Sequence, residues 1–351
     1  MTALVWTVVR VSAVLAFLLA VLPLFRHRSA ALRAWVIAAG LAAAALVPVL
    51  QLIAPAWGLP LHQSTAIATD DGLLRIVAAL WIVGAAGNLI VLMAGVFRLM
   101  SVAAAADPIR DGACADLAID LSAEYRVHAP VLLLEADRPT LPVTWGYREP
   151  KVLLPPAARD WSEARTRIVL RHELAHIRRR DWLLQIAATA VRSIYWFHPL
   201  VWIACARLRL ECERACDDAV LAGGVSGTEY ASHLLELARG AVSGRPQSCA
   251  TAFAGRSALE RRVRAMLAPR LDRSPVQRWS GGAMAALMLV AAFTAAGFGA
   301  PVETPATFTP PQPRRLTLLL DGRIMDLSKE WPTYPDPRAG LVAGPGLTVA
   351  P

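Results

Sequence analysis

Four long apolar runs are the strongest pattern along this chain. They cover roughly residues 4–25, 34–57, 73–100 and 281–300. Each run has about 20 residues or more, the length that a helix rising about 1.5 Å per residue needs to cross about 30 Å of hydrocarbon. Arg10 interrupts the first run near its N-terminal end, where a long side chain can reach the interface. The pattern therefore predicts four transmembrane helices.

A cleaved signal peptide is the alternative interpretation of the first run. In signal peptides, positive charge precedes the apolar stretch and a small-residue cleavage site follows it. Here the positive charge follows the stretch, and no such cleavage site occurs before Arg26. We therefore interpret the first run as a membrane span.

The charges between the runs predict the orientation, because cytoplasmic loops are enriched in Lys and Arg. Residues 26–33 carry three arginines, whereas the loop before the third run carries Asp70 and Asp71. A second group of arginines precedes the fourth run. The 101–280 segment is therefore predicted to be cytoplasmic, and both termini, including the tail at 301–351, are predicted to lie outside.

Charge and cysteine content restrict two further properties: nucleic-acid binding and the redox state of the cysteines. The net charge of +9 lies largely beside the apolar runs, so it indicates membrane orientation rather than direct binding of nucleic acid. All five cysteines lie between the third and fourth runs. An odd number of cysteines in a segment predicted to be cytoplasmic indicates reduced thiols rather than a disulfide framework.

The segment between the third and fourth runs has the pattern of an α+β domain. Residues 101–125 are predicted to be helical. Short apolar runs punctuated by Pro and Gly predict a small sheet, with strands at 131–136, 142–147 and 151–154. From Ser162 onward the pattern predicts helices, at 162–180, 182–197, 199–221, 229–242 and 256–268.

The predicted fold class is a mainly α membrane protein with an α+β domain inserted between its third and fourth spans. Residues 1–100 hold three transmembrane helices, and residues 101–280 hold the cytoplasmic domain. Residues 281–300 form the fourth span. A short tail at 301–351 begins with a Pro-rich linker at 301–313.

The candidate chemistry lies in the sequence His-Glu-Leu-Ala-His at 172–176. Residues four apart lie on one face of a helix, so His172 and His176 can present two imidazoles to one ion. Glu173 lies beside that ion and can exchange a proton with water and with a leaving amine. This is the zinc protease motif, and the helix predicted around it provides the geometry that the motif requires.

A catalytic zinc site needs a third protein ligand, and two glutamates downstream are candidates. Glu211 and Glu213 are two residues apart, about 200° around a helix, so both cannot face one ion. Glu213 has Asp217 on its own face, four residues later. We therefore expect Glu213 to bind the metal and Asp217 to hold a ligand histidine through its ring N–H. The alternative is that these carboxylates form surface ion pairs with nearby arginines.

Two further cysteines and one further histidine fit a metal-binding or catalytic role less well. Cys212 and Cys216 are also four apart, but nothing adjacent completes a separate four-ligand site, so small buried side chains are the better interpretation. His198 could stabilise an oxyanion, although a structural role is the commoner one for a histidine before a helix.

Together these residues resemble those of the BlaR/MecR-type bacterial membrane metallopeptidases, which are signal transducers for β-lactams, and their relatives. The resemblance covers roughly residues 1–300. Five pieces of the sequence carry it: Gly146–Pro155, His172–Trp182, Trp196–Trp202, Glu211–Asp217 and Tyr230–Leu235.

The resemblance implies a gluzincin-like zinc protease domain facing the cytoplasm of a multi-pass protein of the bacterial cell membrane. It implies one Zn²⁺ per chain and cleavage of a protein substrate, either a cytosolic transcriptional repressor or the chain itself. In such enzymes the substrate lies along an edge strand of the small sheet. The corresponding residues here are Pro142, Val143, Thr144, Trp145, Gly146 and Tyr147.

The tail departs from the best-known members, which carry a penicillin-binding sensor after the fourth span. Ser328 is the only serine after residue 300, and Trp331 stands where the Ser-x-x-Lys arrangement of such sensors needs a lysine. We therefore expect no covalent β-lactam adduct on this sequence. A quality-control protease of the Ste24/HtpX type and a signalling scaffold with a decayed site remain alternatives, and an oligomer is possible.

Overall fold

A computed structural model describes most of the chain. The described residues are 2–53, 71–137, 141–242, 249–268, 272–276, 278–297, 317–320 and 323–326. They divide into a unit within Met1–Pro301 and a separate unit within Val302–Pro351. In the second unit, strands β5 (Thr317–Leu320) and β6 (Arg323–Asp326) form an antiparallel hairpin. The predicted linker at 301–313 lies outside the described residues.

Within the described ranges, three helices are long and apolar enough to cross a membrane. They are α1 (Thr2–Val21, continued by a 3₁₀ turn to Phe25), α2 (Ala30–Leu50) and α3 (Asp71–Ala105). The predicted fourth span corresponds to α10 (Arg278–Gly297), whose described apolar part, Gly281–Gly297, is shorter. Residues 298–300 lie outside the described part, so a fourth crossing stays a prediction.

The small sheet contains the three predicted strands and a fourth, in the order β1-β2-β4-β3. Strand β2 (Leu132–Glu135) pairs in parallel with β4 (Lys151–Leu154), and β3 (Val143–Trp145) pairs antiparallel with β4. Strand β1 (Asp107–Ile109) pairs antiparallel with β2. Strand β3 therefore lies at one edge of the sheet.

The prediction that residues 101–125 are helical was wrong in part. Helix α3 ends at Ala105, β1 follows, and α4 begins only at Ala113 and ends at Glu124. Pro108 disfavours a helical conformation at the preceding residue and cannot donate a helical hydrogen bond. A strand of three residues is too short to show a clear alternation of apolar and polar positions.

The remaining helices are those that the sequence predicted, with bounds that differ by up to three residues except in α9, which begins seven residues before the predicted residue 256. They are α5 (Glu163–Arg179), α6 (Asp181–Ile194), α7 (Pro199–Ala222), α8 (Gly227–Val242) and α9 (Cys249–Leu267). Ser162 caps α5 by accepting a hydrogen bond from the backbone N–H of Arg165, which satisfies one of the free donors of the first turn. The left-handed backbone of Arg180, with φ of 57°, ends α5 and turns the chain directly into α6.

The apolar helices and the candidate protease segment share one core. Leu15 of α1, Ile37 of α2 and Met288 of α10 are fully buried against Val201 and Leu208 of α7. The N-terminal half of α7 therefore packs against the apolar helices, and its C-terminal half carries Glu211, Glu213 and Asp217. Between helices that face lipid, such contacts stabilise through close van der Waals packing rather than through removal of apolar surface from water.

Helix α3 is arranged differently. It packs chiefly against α6, and its apolar side chains are exposed along its length; Ile90 and Phe97, for example, are 67% and 73% exposed. Two indole hydrogen bonds link the helices, from Trp81 to the carbonyl of Ile194 and from Trp196 to the carbonyl of Trp81. A helix that is apolar on all sides and exposed in this way has the surface of a lipid-facing span.

Candidate metal centre

Helices α5 and α7 bring His172, His176 and Glu213 together. The two Nε2 atoms are 3.3 Å apart. The nearest carboxylate oxygens of Glu213 lie 3.7 Å from Nε2 of His172 and 3.8 Å from Nε2 of His176. All three donor atoms lie within 4.8 Å of one another.

These distances are within a few tenths of an ångström of those between the ligands of a tetrahedral metal ion. Ligands about 2.0–2.2 Å from a tetrahedral zinc ion are about 3.3–3.6 Å from each other. Two imidazole nitrogens and one carboxylate oxygen are also a donor set that zinc accepts at catalytic sites, with a fourth position open. The residues of this chain therefore fit a zinc ion.

Each histidine ring is oriented by a partner on its Nδ1 side. Nδ1 of His176 lies 2.9 Å from Oδ2 of Asp181. Nδ1 of His172 lies 2.9 Å from the hydroxyl of Tyr230, which donates to Asp217 across 2.7 Å. Since that hydroxyl proton is given to Asp217, its oxygen can accept the N–H of His172. Both rings then direct a lone pair at Nε2 toward the common centre.

A guanidinium closes the other side of this network. Arg262 of α9 donates from Nε and Nη2 to the two oxygens of Asp217, at 2.9 and 2.7 Å. Its Nη1 lies 2.9 Å from Oε2 of Glu213. Bidentate pairing of this kind fixes both position and orientation. Arg262 therefore holds two carboxylates in one arrangement: the candidate ligand Glu213, and Asp217, which lies behind His172.

The electrostatics of the centre favour a positive charge between the carboxylates. Burial alone would raise the pKa of Glu213, but the hydrogen bond with His172 and the charge of Arg262 lower it to about 2. Burial likewise opposes protonation of His172, yet its bonds to Asp217 and Glu213 raise its pKa to about 10. A proton on His172 or a divalent cation can supply the charge, and the two compete because a ligand imidazole must be neutral at the metal-binding nitrogen.

Glu173 is buried beside these donors and lines the same cavity. Its Oε2 accepts a short hydrogen bond from the hydroxyl of Thr144 on β3. This contact leaves the other carboxylate oxygen available for proton exchange. It also links the candidate base to the edge strand of the sheet.

The cavity around these residues has a volume of about 1680 Å³. Of the six residues predicted for the substrate edge, Pro142, Val143, Thr144, Gly146 and Tyr147 line it. Trp145 does not; it packs in a separate apolar cluster with Leu134 and Leu153.

Glu211, the competing carboxylate, faces away from the histidines. Its Oε2 lies 2.7 Å from Nη2 of Arg33 on α2, and its Oε1 accepts from Arg214 across 3.0 Å. The two glutamates thus occupy opposite sides of α7, as a separation of two helical residues requires.

The other polar candidates also have local partners. Cys216 contacts Asp181 at 3.5 Å, and burial raises the pKa of its thiol well above the usual value, so the thiolate that zinc prefers is disfavoured. Cys212 is buried near Arg179. His198 is 2.8 Å from the hydroxyl of Ser12 in α1 and is not among the residues that line the cavity.

The sequence alone did not reveal that Tyr230, Asp181 and Arg262 contact the candidate ligands or the carboxylate Asp217. Tyr230 lies in a matched piece of sequence, but nothing there indicates its contact with His172. Asp181 follows the histidine helix directly, and only the left-handed turn at Arg180 folds it back onto His176. Arg262 was counted among the arginines that indicate membrane orientation.

Comparison with known proteins gives the same family that the sequence motifs resemble. The model of a family described as "BlaR1 peptidase M56" matches residues 1–266. "Regulatory protein BlaR1" of Bacillus licheniformis is 28% identical over 165 residues, which are 47% of this chain and 27% of that protein. "Methicillin resistance mecR1 protein" of Staphylococcus aureus is 25% identical over 81 residues, 23% of this chain and 14% of that protein. The matched regions thus span about a quarter of the first of these curated relatives and about a seventh of the second.

Proposed function

This chain belongs to the BlaR1 peptidase M56 family, and from that premise we propose that it is a membrane-bound zinc endopeptidase of the BlaR/MecR signalling type. The convergence of His172, His176 and Glu213 within 4.8 Å, beside Glu173, is the observation that carries the proposal. The intact donor set argues against a silent scaffold, and the family match argues against the Ste24/HtpX alternative.

Four side chains perform the proposed chemistry. His172, His176 and Glu213 would hold a zinc ion, and such an ion would supply polarisation of a peptide carbonyl and a lowered pKa of water. Glu173 takes a proton from the attacking water and delivers it to the nitrogen of the leaving amine. Thr144 holds one oxygen of Glu173, so the other is directed to that proton.

The substrate position follows from the sheet. Among the residues that the structure describes, strand β3 pairs only with β4, and residues 142–144 line the cavity. An extended peptide can pair with such a free edge through main-chain hydrogen bonds. Because Thr144 contacts Glu173, a peptide paired with β3 passes close to the proposed base.

We place the activity in transmembrane signalling at the bacterial cytoplasmic membrane, with the protease segment facing the cytoplasm. The name of the Bacillus licheniformis relative, "Regulatory protein BlaR1", supports this role. A cytosolic repressor, the chain itself, or both are the proposed substrates. The three helices long enough to span a membrane support the location.

Comparative proteomics of cells that express the wild type or Glu173→Gln tests the proposal. Glu163→Gln is the matched control, because Glu163 lies on the same helix but is exposed and pairs only with Arg167 among the described residues. We expect fragments that appear with the wild type and with Glu163→Gln and are absent with Glu173→Gln. Identical fragment patterns in all three strains would contradict the proposed peptidase activity.

A further inference from the structure

A groove runs between the exposed helix α3 and the helices α6 and α7. It has a volume of about 290 Å³. The α3 side is apolar along Val91, Leu92, Val96 and Leu99 and has one polar residue, Asn88, at its N-terminal end, whereas the opposite side presents Thr189, Arg192 and Arg209. No acidic side chain lines it among the described residues. The groove thus combines an apolar wall with two cationic groups.

The two arginines have no carboxylate partner in the part of the chain that the structure describes. The guanidinium of Arg192 stacks over the ring of Trp202, with its central carbon 4.6 Å from the ring centroid. Its Nε is buried without a hydrogen-bond partner. A guanidinium that has no carboxylate partner and lies beside an apolar wall is suited to an anionic ligand.

The position of the groove indicates what that ligand is. Residues 91–99 lie in the C-terminal half of the candidate span Gly72–Ala105, the half that the charge pattern assigns to the cytoplasmic leaflet. Basic pockets between apolar helices on that side are suited to phospholipid headgroups. A lipid is also the ligand that can cover the apolar wall with an acyl chain while its phosphate meets both guanidinium groups.

We propose that this groove binds an anionic phospholipid, with its phosphate between Arg192 and Arg209 and an acyl chain along α3. The proposal rests on the membrane location given above and not on the peptidase activity. Thr189, Arg192 and Arg209 also line the large cavity that contains the proposed zinc ligands. The lipid headgroup therefore forms part of the wall of the catalytic cavity.

Native mass spectrometry of the full chain in detergent, titrated with phosphatidylglycerol or phosphatidylcholine, tests the site. We expect tighter binding of phosphatidylglycerol by the wild type. Each arginine near an anionic headgroup accounts for about a fivefold change in affinity, so the double variant Arg192→Gln, Arg209→Gln should bind it about 25-fold more weakly. Arg207→Gln is the matched control, because Arg207 is exposed on α7 outside the groove. The double lysine variant should keep most of the preference for phosphatidylglycerol.

A second pair of variants tests the groove without changing any charge. A Cβ added at Gly95 or at Gly87 meets nothing within 4 Å, and of the two only Gly95 lines the groove. Gly95→Leu should therefore reduce phosphatidylglycerol binding, whereas Gly87→Leu should leave it unchanged.

Three results would overturn the lipid site. They are equal binding of the two lipids by the wild type, an equal loss in Arg207→Gln and in the double glutamine variant, and unchanged binding in Gly95→Leu. If the double glutamine variant cleaves substrate with a raised KM but binds phosphatidylglycerol as the wild type does, the arginines recognise an acidic substrate segment instead. Loss of peptidase activity alone does not produce any of these lipid-binding results, so the two proposals fail separately.

Discussion

Each side of α7 carries a glutamate, and the negative charges of these two glutamates are neutralised in different ways. On one side, Glu211 is neutralised by the permanent charges of Arg33 and Arg214. On the other side, Glu213 faces His172 and His176, whose positive charge depends on a proton. The first side fastens the helix to the apolar core, and the second offers a place where a metal ion can replace a proton. The same residue type two positions apart therefore has a structural role on one side and a proposed catalytic role on the other.

The largest expected effects come from exchanging these two carboxylates for amides. Glu213→Gln should lower zinc affinity by more than about 100-fold, because the site loses its charged ligand. Glu211→Gln should retain zinc, but it leaves Arg33 buried without its charged partner and should cost about 3–5 kcal/mol of stability. Zinc content and thermal unfolding, measured on both purified variants, check this contrast. Full zinc in Glu213→Gln would mean that the ligand is another carboxylate.

A pair of arginines provides the next comparison. Arg262 contacts Glu213 and Asp217 on the metal side, and Arg214 contacts Glu211 on the other. Arg262→Gln should weaken zinc binding about 10- to 100-fold, which is the usual effect of losing a residue that hydrogen-bonds to a metal ligand. Arg214→Gln should leave zinc affinity unchanged. Competition with a chromophoric chelator measures both variants, and equal zinc affinities would exclude the proposed positioning role of Arg262.

The charge between the carboxylates should make zinc affinity depend on pH. Bonds to Asp217 and Glu213 raise the pKa of His172 to about 10 against the effect of burial, so below that pH a proton must leave before this imidazole binds metal. Raising the pH removes the competitor, and zinc affinity should increase about tenfold per unit between pH 6 and 8. Chelator competition at three pH values gives the slope. A flat profile would show that zinc binding releases no proton.

The smallest effect is expected from the hydroxyl of Tyr230. It lies between Asp217 and Nδ1 of His172, so Tyr230→Phe removes the link that orients this ring while leaving all three candidate ligands. Zinc affinity should fall about tenfold. Tyr125→Phe is the control, because the Tyr125 hydroxyl donates to the carbonyl of Ala219 on the same helix as Glu213 and contacts neither histidine. An equal loss in both variants would indicate a general effect on packing.

How far the sequence predicts this centre depends on how local each contact is. His172, Glu173 and His176 follow from helical periodicity, and the choice of Glu213 over Glu211 follows from the position of Asp217 one turn later. The contact of Arg262 with Glu213 requires α9 to pack on α7, which no local pattern encodes. The position of Asp181 depends on one left-handed residue, Arg180, in a conformation that L-residues seldom adopt.

In the fold, too, features set by local sequence were predicted, whereas features set by tertiary contacts were not. The sequence predicted α5, α6 and α7 to within three residues at each end, and Ser162, Pro199 and Gly223 lie at the ends of α5 and α7. The three-residue strand β1 exists only through its pairing with β2, and the sequence gives no local sign of it. The direct packing of α7 against α1 and α2 is likewise a tertiary property, since it depends on which apolar side chains meet.

X-ray absorption spectroscopy of the zinc-loaded chain at the zinc edge would identify the ligand atoms themselves. We expect a single zinc ion with two imidazole nitrogens at about 2.0–2.1 Å, a carboxylate oxygen at about 2.0–2.2 Å and no sulfur ligand. The imidazole signal should be halved or lost in His172→Ala, while Glu173→Gln should keep the wild-type spectrum. A sulfur ligand at about 2.3 Å would contradict the account, because it would transfer the metal to Cys212 or Cys216.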